Sequence, residues 1–135
     1  MDECIFCKII QKKVPCSKIY ENDHVLAFLD IGPVNKGHTL VVPKRHSENI
    51  YDIPYRDLKE VIIAVKSVAQ AIKKGLGIDG VTITQSNEKA AGQVVPHYHF
   101  HVIPRLSTDG LKLWPQGKYE EKEADSVREK IVKFL

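Results

Sequence analysis

"PHYHFHVIPR", residues 96–105, sets His97, His99 and His101 at alternate positions with Tyr98, Phe100 and Val102 between them. Alternation of period two in a run of β-prone residues is the pattern of a strand, whose side chains turn to opposite faces at about 3.3 Å per residue. The spacing therefore predicts a strand with one apolar face, suited to a core, and one histidine face, free for chemistry. By the same rise His97 and His101 stand about 13 Å apart, too far to share an ion held about 2.0–2.1 Å from each nitrogen. At most two neighbouring histidines can serve one metal. The other reading divides the work, with some imidazoles handling a phosphoryl group and one serving a metal. Imidazole suits that work, because an unperturbed pKa near 6.5 leaves a neutral nucleophile and a protonated donor both accessible near neutrality.

Working outward, "GVTITQ" (80–85) alternates and predicts a further strand, and "NEKAAGQ" (87–93) a polar loop before the histidines. From Asp52 to Gly75, Leu58, Val61, Ile62, Val65, Val68, Ala69 and Ile72 recur at steps of three and four. That is an amphipathic helix, with Asp52 as candidate N-cap and Gly75 or Gly77 as candidate stop. "HTLVVP" (38–43) predicts a strand ended by Pro43. "KIYE" (18–21) and "VLAFLDI" (25–31) predict a hairpin about Asn22-Asp23, with His24 a solvated turn residue. A short helix is expected from Cys4 to about Lys12. At the other end Trp114-Pro115 and a Gly117 turn lead to a modestly amphipathic helix around Val127, Ile131 and Leu135. The sum is an α+β fold, a mainly antiparallel five-stranded sheet with one long helix and short terminal helices. No repeat or linker interrupts it, so residues 1–135 are read as one domain.

Composition agrees: 135 residues, 43% of them hydrophobic, are enough for a single core. No apolar run approaches the roughly 18–20 residues needed to span a bilayer, and "MDECIFCKII" is acidic where a signal peptide is basic, so no membrane role and a cytoplasmic location are expected. Twenty basic against 17 acidic residues leave a net charge of +3, with the lysines scattered. No specific nucleic-acid partner is expected from that pattern. Cys4, Cys7 and Cys16 are an odd count without secretory context, which disfavours a disulfide framework. Taken alone, Cys4-x-x-Cys7 is divided between half a metal site, a redox pair and two buried thiols.

His97-Tyr98-His99-Phe100-His101-Val102-Ile103 resembles the signature of the histidine triad (HIT) family, His-φ-His-φ-His-φ-φ with φ hydrophobic. "AFLDIGPVNKGHTLVVPKRH" (27–46) resembles the nucleotide-binding segment of the family's Hint-like branch, "NEKAAGQ" its phosphate loop, and "CIFCKII" (4–10) the amino terminus of its zinc-binding members. The likeness runs over about residues 4–115, leaving 116–135 as a carboxy-terminal tail and helix. The related galactose-1-phosphate uridylyltransferases carry Gln at the third triad position, so His101 points to a hydrolase.

The resemblance implies a HIT-like fold and hydrolysis of nucleoside 5'-phosphoramidates, with adenosine or another purine, through a nucleotidyl-histidine intermediate. A dinucleoside polyphosphate hydrolase and a nucleotide-binding regulatory or scaffold protein with little turnover are the alternatives. It implies His99 as nucleophile, His101 as donor to the phosphate or leaving group, and His38 as a further donor. Neutral imidazole attacks without prior deprotonation, and fixed donors stabilise phosphoryl charge with no metal required at the reacting phosphorus. Asn87 and Gln93 match phosphate contacts, Asp30 the acceptor of the ribose hydroxyls, and Ile31 the place where the base packs. Val94 departs from the pattern, standing where many members carry a hydroxyl that faces phosphate. Cys4, Cys7, His46 and His97 match a closed, structural zinc site, leaving Cys16 a plain small residue. A homodimer is implied as well, with Trp114 and the tail reaching toward the partner's site.

Overall fold

The computed structural model describes residues 3–135. A single five-stranded sheet runs in the order β1-β2-β3-β5-β4, every pairing antiparallel. Its strands are β1 (Lys18–Glu21), β2 (Val25–Leu29), β3 (Thr39–Pro43), β4 (Gly80–Thr84) and β5 (Phe100–Arg105). Three helices accompany it: α1 (Ile5–Ile10), α2 (Tyr55–Leu76) and α3 (Glu123–Val132). Asn22 closes the β1–β2 hairpin, its Oδ1 accepting from the amides of His24 and Val25 at 2.8 Å each. The strands and helices are those expected from the sequence, with three local differences.

First, α2 begins at Tyr55 behind Pro54, and Asp52 does not cap it. The Asp52 carboxylate instead accepts from the amides of Glu48 and Asn49, closing the preceding loop. Pro54 suits a helix entrance, because the donor it lacks is one the first turn leaves unpaired anyway. Gly77 ends the helix in the left-handed region, φ +60°, while Gly75 stays inside it. Second, β5 starts only at Phe100, so His97 and His99 precede the strand, in a segment that bends where the His97 amide turns back to the Val95 carbonyl at 2.9 Å. Third, α3 has no buried residue, so its apolar residues face out from the body of the chain.

Alternation along the strands splits the interior into two apolar clusters. One joins Val25, Ala27, Val41, Tyr98 and Val102 to Val61, Ala64, Val65, Val68 and Ile72 of α2. The other joins Leu26, Phe28, Leu40 and Val42 to Phe6 of α1. β2 and β3 are thus covered on both faces, which explains their nearly unbroken apolar runs. His101, opposite Leu40 in register, belongs to the α1 side, and on that side the polar groups gather.

Candidate functional site

Two clusters of side chains meet Phe6, one through His97 and one through His99. In the first, Cys4, Cys7, His46 and His97 each offer a ligand atom within 4.8 Å of the others, so the four could hold a metal ion. The His97 Nδ1 lies 3.4 Å from the Cys4 Sγ, 3.6 Å from the Cys7 Sγ and 3.2 Å from the His46 Nδ1, and the Cys7 Sγ is 3.3 Å from the His46 Nδ1. A backbone bond brings these parts together: the Tyr98 amide donates to the Ser47 carbonyl at 2.7 Å, tying the segment that follows β3, with His46, to the triad segment. Arg45 donates two bonds to the buried Asp57 of α2 and pins the residue beside His46.

The backbone also sets the tautomer of His97. Its Nε2 lies 2.9 Å from the Pro43 carbonyl, which can only accept, so Nε2 carries the proton and Nδ1 turns its lone pair to the thiols. Burial pushes the His97 pKa down to about 4, which keeps this imidazole neutral and able to ligate. Burial also pushes the Cys7 thiol up to about 11, with the Cys4 thiol adding to the rise, so a bound cation would have to displace that proton.

The second cluster contains the other two triad histidines with His38 and Asp30. His99 Nδ1 is 2.6 Å from the His97 carbonyl, so Nδ1–H donates and Nε2 holds a free lone pair. His99 is 7% exposed, yet its Nε2 is not sealed off, since no fully buried side-chain nitrogen or oxygen among the described residues lacks a partner. The Val34 amide donates to His38 Nδ1 at 3.1 Å, so neutral His38 carries its proton on Nε2. That Nε2–H meets His101 Nδ1 at 2.9 Å, which leaves the His101 proton on Nε2. Asp30 closes the set, one oxygen 3.7 Å from His38 Nε2 and the other accepting from the Gly32 amide at 2.8 Å.

Burial, the largest influence in each case, holds His38, His99 and His101 below the ordinary imidazole range. Asp30 opposes it at all three and is too weak to reverse it. The result is a nucleophilic imidazole whose ring centre lies 5.0 Å from that of a second imidazole, the free N–H of which is fixed by a relay starting at a backbone amide.

His99, His101, Asp30 and Ile31 all line one cavity of about 390 Å³. The rest of its wall is apolar, with Ile5, Phe6 and Ile9 from α1, Phe28 and Leu40 from the sheet, and Val94 and Val95 from the loop before the triad. A mostly apolar cleft with a few convergent polar groups is the usual form of a small-molecule site. Ile31 is fully exposed at its rim, able to cover an apolar ring.

Asn87 and Gln93 do not line the cavity. Gln93 is buried, its Oε1 accepting from the Glu88 amide and its Nε2 donating to the Glu48 and Val95 carbonyls, so no donor is left over for a phosphate. Asn87 accepts from the Ile50 amide and exchanges hydrogen bonds with Gln85. Both brace the loop, whose Glu88 sits at φ +70°, ψ 160°, a conformation costly for any side chain. The backbone amides of Val94 and Val95, at the cavity wall, donate to no group among the described residues. Sequence reasoning missed these amides, since an N–H has no residue type to show it. It also missed Cys16, a free and exposed thiol that lines the cavity beside Pro15.

A family model described as HIT domain matches residues 11–108. An adenosine 5'-monophosphoramidase of Schizosaccharomyces pombe is 38% identical over 130 residues, covering 95% of this chain and 95% of the relative. Among solved structures, a HIT family member from Bacillus subtilis superposes with a TM-score of 0.91 at 42% identity, over 98% of this chain and 97% of that one. A Zn-bound histidine triad family protein from Mycobacterium smegmatis superposes at 0.79 with 33% identity, over 99% of both chains. The triad sequence, the sheet that carries it and these likenesses lead to one conclusion: the chain belongs to the histidine triad (HIT) family.

Proposed function

We propose that the chain is a nucleotide hydrolase that cleaves nucleoside 5'-phosphoramidates, with adenosine or another purine, through a nucleotidyl-histidine on His99. The carrying observation is the His99 Nδ1–H donated to the His97 carbonyl at 2.6 Å, which leaves Nε2 as an unprotonated nucleophile facing an apolar cavity. Its lone pair attacks the α-phosphorus while the P–N bond breaks, with His101 Nε2–H hydrogen-bonded to the leaving nitrogen, which takes its proton from solvent water and departs as the amine. Water then attacks the adduct, gives up a proton to solvent, and releases the nucleoside monophosphate and free His99, the His101 N–H staying in place throughout. His38 keeps the His101 proton on the correct nitrogen, and the free amides of Val94 and Val95 suit the charge that builds on the phosphoryl oxygens. Asp30 suits the ribose hydroxyls and Ile31 the base, whereas Asn87 and Gln93 serve the phosphate indirectly, by shaping the loop. No metal is required at the reacting phosphorus.

Zinc is the ion that the Cys4, Cys7, His46 and His97 cluster fits. A tetrahedral site with sulfur at about 2.3 Å and nitrogen at about 2.0–2.1 Å spaces S and N about 3.5 Å apart and two nitrogens about 3.3 Å apart. The observed separations, 3.3–3.6 Å and 3.2 Å, are those edges. Four protein ligands leave no open position, so the role is structural. The purified protein should contain about one zinc per chain and Cys7→Ser far less; wild-type metal content in that variant contradicts the assignment. Three free cysteines suit a reducing, cytoplasmic setting, and no described helix is long and apolar enough to cross a membrane.

The reaction is tested in a single turnover with an adenosine phosphoramidate, by looking for an acid-labile adenylyl adduct. Wild type should form it and His99→Ala should not; an adduct that persists in the variant overturns His99 as nucleophile. Diadenosine polyphosphates cleaved faster in the same assay identify a polyphosphate hydrolase, and binding without turnover identifies a regulatory protein.

A further inference from the structure

The cluster of thiols and imidazoles and the cavity are not merely neighbours: they share α1. That helix has six residues, too few to hold its shape unaided, so tertiary anchors must set its position. On one side Cys4, its N-cap, and Cys7 belong to the cluster, while on the other Ile5, Phe6 and Ile9 are cavity wall. Phe6 stands between the two thiols in sequence and between the two histidines in space. Its ring meets His97 edge-on at 5.8 Å between centres, His99 at 5.2 Å and Phe28 at 5.6 Å. A second link is covalent: the carbonyl that receives the His99 Nδ1–H belongs to His97, itself a member of the cluster.

We propose that metal occupancy of the cluster and nucleotide occupancy of the cavity are coupled, with Phe6 and the His97 carbonyl as the positioning groups that carry the coupling. The inference rests on the nucleotide reading above and extends it to the regulation of that site. When Cys4, Cys7, His46 and His97 close on one ion, α1 is held against the sheet, Phe6 walls the cavity, and His99 is held by its neighbours. When they do not, the short helix loses its anchor and the cavity loses a wall. Coupling of this kind is reciprocal, so a nucleotide that binds the walled cavity must tighten the metal by the factor by which the metal tightens the nucleotide.

AMP, which cannot turn over, is the probe. Calorimetric titration into zinc-loaded and zinc-stripped protein should show roughly tenfold weaker AMP binding without metal, within the usual range of such couplings. Competition of zinc-loaded protein against a chromogenic chelator should show zinc held tighter by the same factor at saturating AMP. In Phe6→Ala the ratio of zinc affinities with and without AMP should fall toward one, and Phe6→Leu, which restores apolar contact, should recover part of it. Equal AMP affinity with and without zinc overturns the coupling alone. No AMP binding even to zinc-loaded protein removes the nucleotide reading and the coupling with it. A wild-type factor in Phe6→Ala overturns the route through Phe6. Loss of the far-ultraviolet helix and sheet signal on zinc removal overturns the local route, because any ligand of the folded state would then tighten zinc.

Discussion

At the residue scale the chemistry depends on which nitrogen of each imidazole holds a proton, and backbone groups decide that for His38, His97 and His99. The triad itself was legible because its alternation put the histidines together, and His97 and His101 do belong to different clusters, although the strand rise that suggested it does not apply before Phe100. The partners that set the tautomers, the Pro43 and His97 carbonyls and the Val34 amide, were not legible, since every residue has a carbonyl. They carry a pH consequence. His38, His99 and His101 titrate below 6.5 in the folded chain, burial being the main cause in each. Turnover should therefore stay level as pH falls through 6.5 and decline only on the acid side of it. Unfolded chains take up these protons at higher pH than folded ones, so stability is full above about 6.5 and is lost as pH falls toward the folded values. A profile of kcat/KM whose acid limb is centred at or above 6.5 contradicts the burial argument.

At the scale of elements, local rules and tertiary demands agree along most of the chain. The α2 pattern was readable because Val61, Ala64, Val65, Val68 and Ile72 face one cluster, and its stop was readable because a left-handed residue there favours glycine. Its N-cap was misplaced by two residues, since Asp52 found better use accepting two loop amides than capping a helix that Pro54 already begins. The cost of the helix end can be measured. A methyl group built on Gly77 meets nothing within 4 Å, so Gly77→Ala adds no clash and isolates the backbone penalty at φ +60°. The expected loss is about 1–2 kcal/mol of unfolding free energy, read as a lower urea midpoint with an unchanged slope. A change within about 0.5 kcal/mol, the range of ordinary surface substitutions, shows that the helix end relaxes to a right-handed turn.

For the whole molecule, the outstanding expectation is the homodimer, and the two sheet edges differ in their fitness for it. β1 is blunted by a register shift between Lys18 and Tyr20 and by Glu21, which is bonded to both Lys18 and Lys44. β4, "GVTIT", presents no charge, and Ile83 on it is exposed, as are Ile62 and Ile63 of α2. An uncharged edge strand with an exposed isoleucine invites a second copy, whereas bulges and charges repel one. We therefore expect the β4 edge to carry the dimer contact. The tail was the least legible region: the periodicity of Val127, Ile131 and Leu135 shows a helix but not what the helix touches. In a single chain it touches little, since α3 buries nothing and Trp114 is 87% exposed. Two separable outcomes follow, both read by sedimentation and thermal melting. Ile83→Lys should convert a dimer to a monomer, while removing residues 116–135 should leave the dimer intact and move its melting midpoint by no more than about 2 °C. If the truncation also raises KM for the phosphoramidate, the tail reaches a cavity. If Ile83→Lys remains a dimer, the contact lies elsewhere than on this edge.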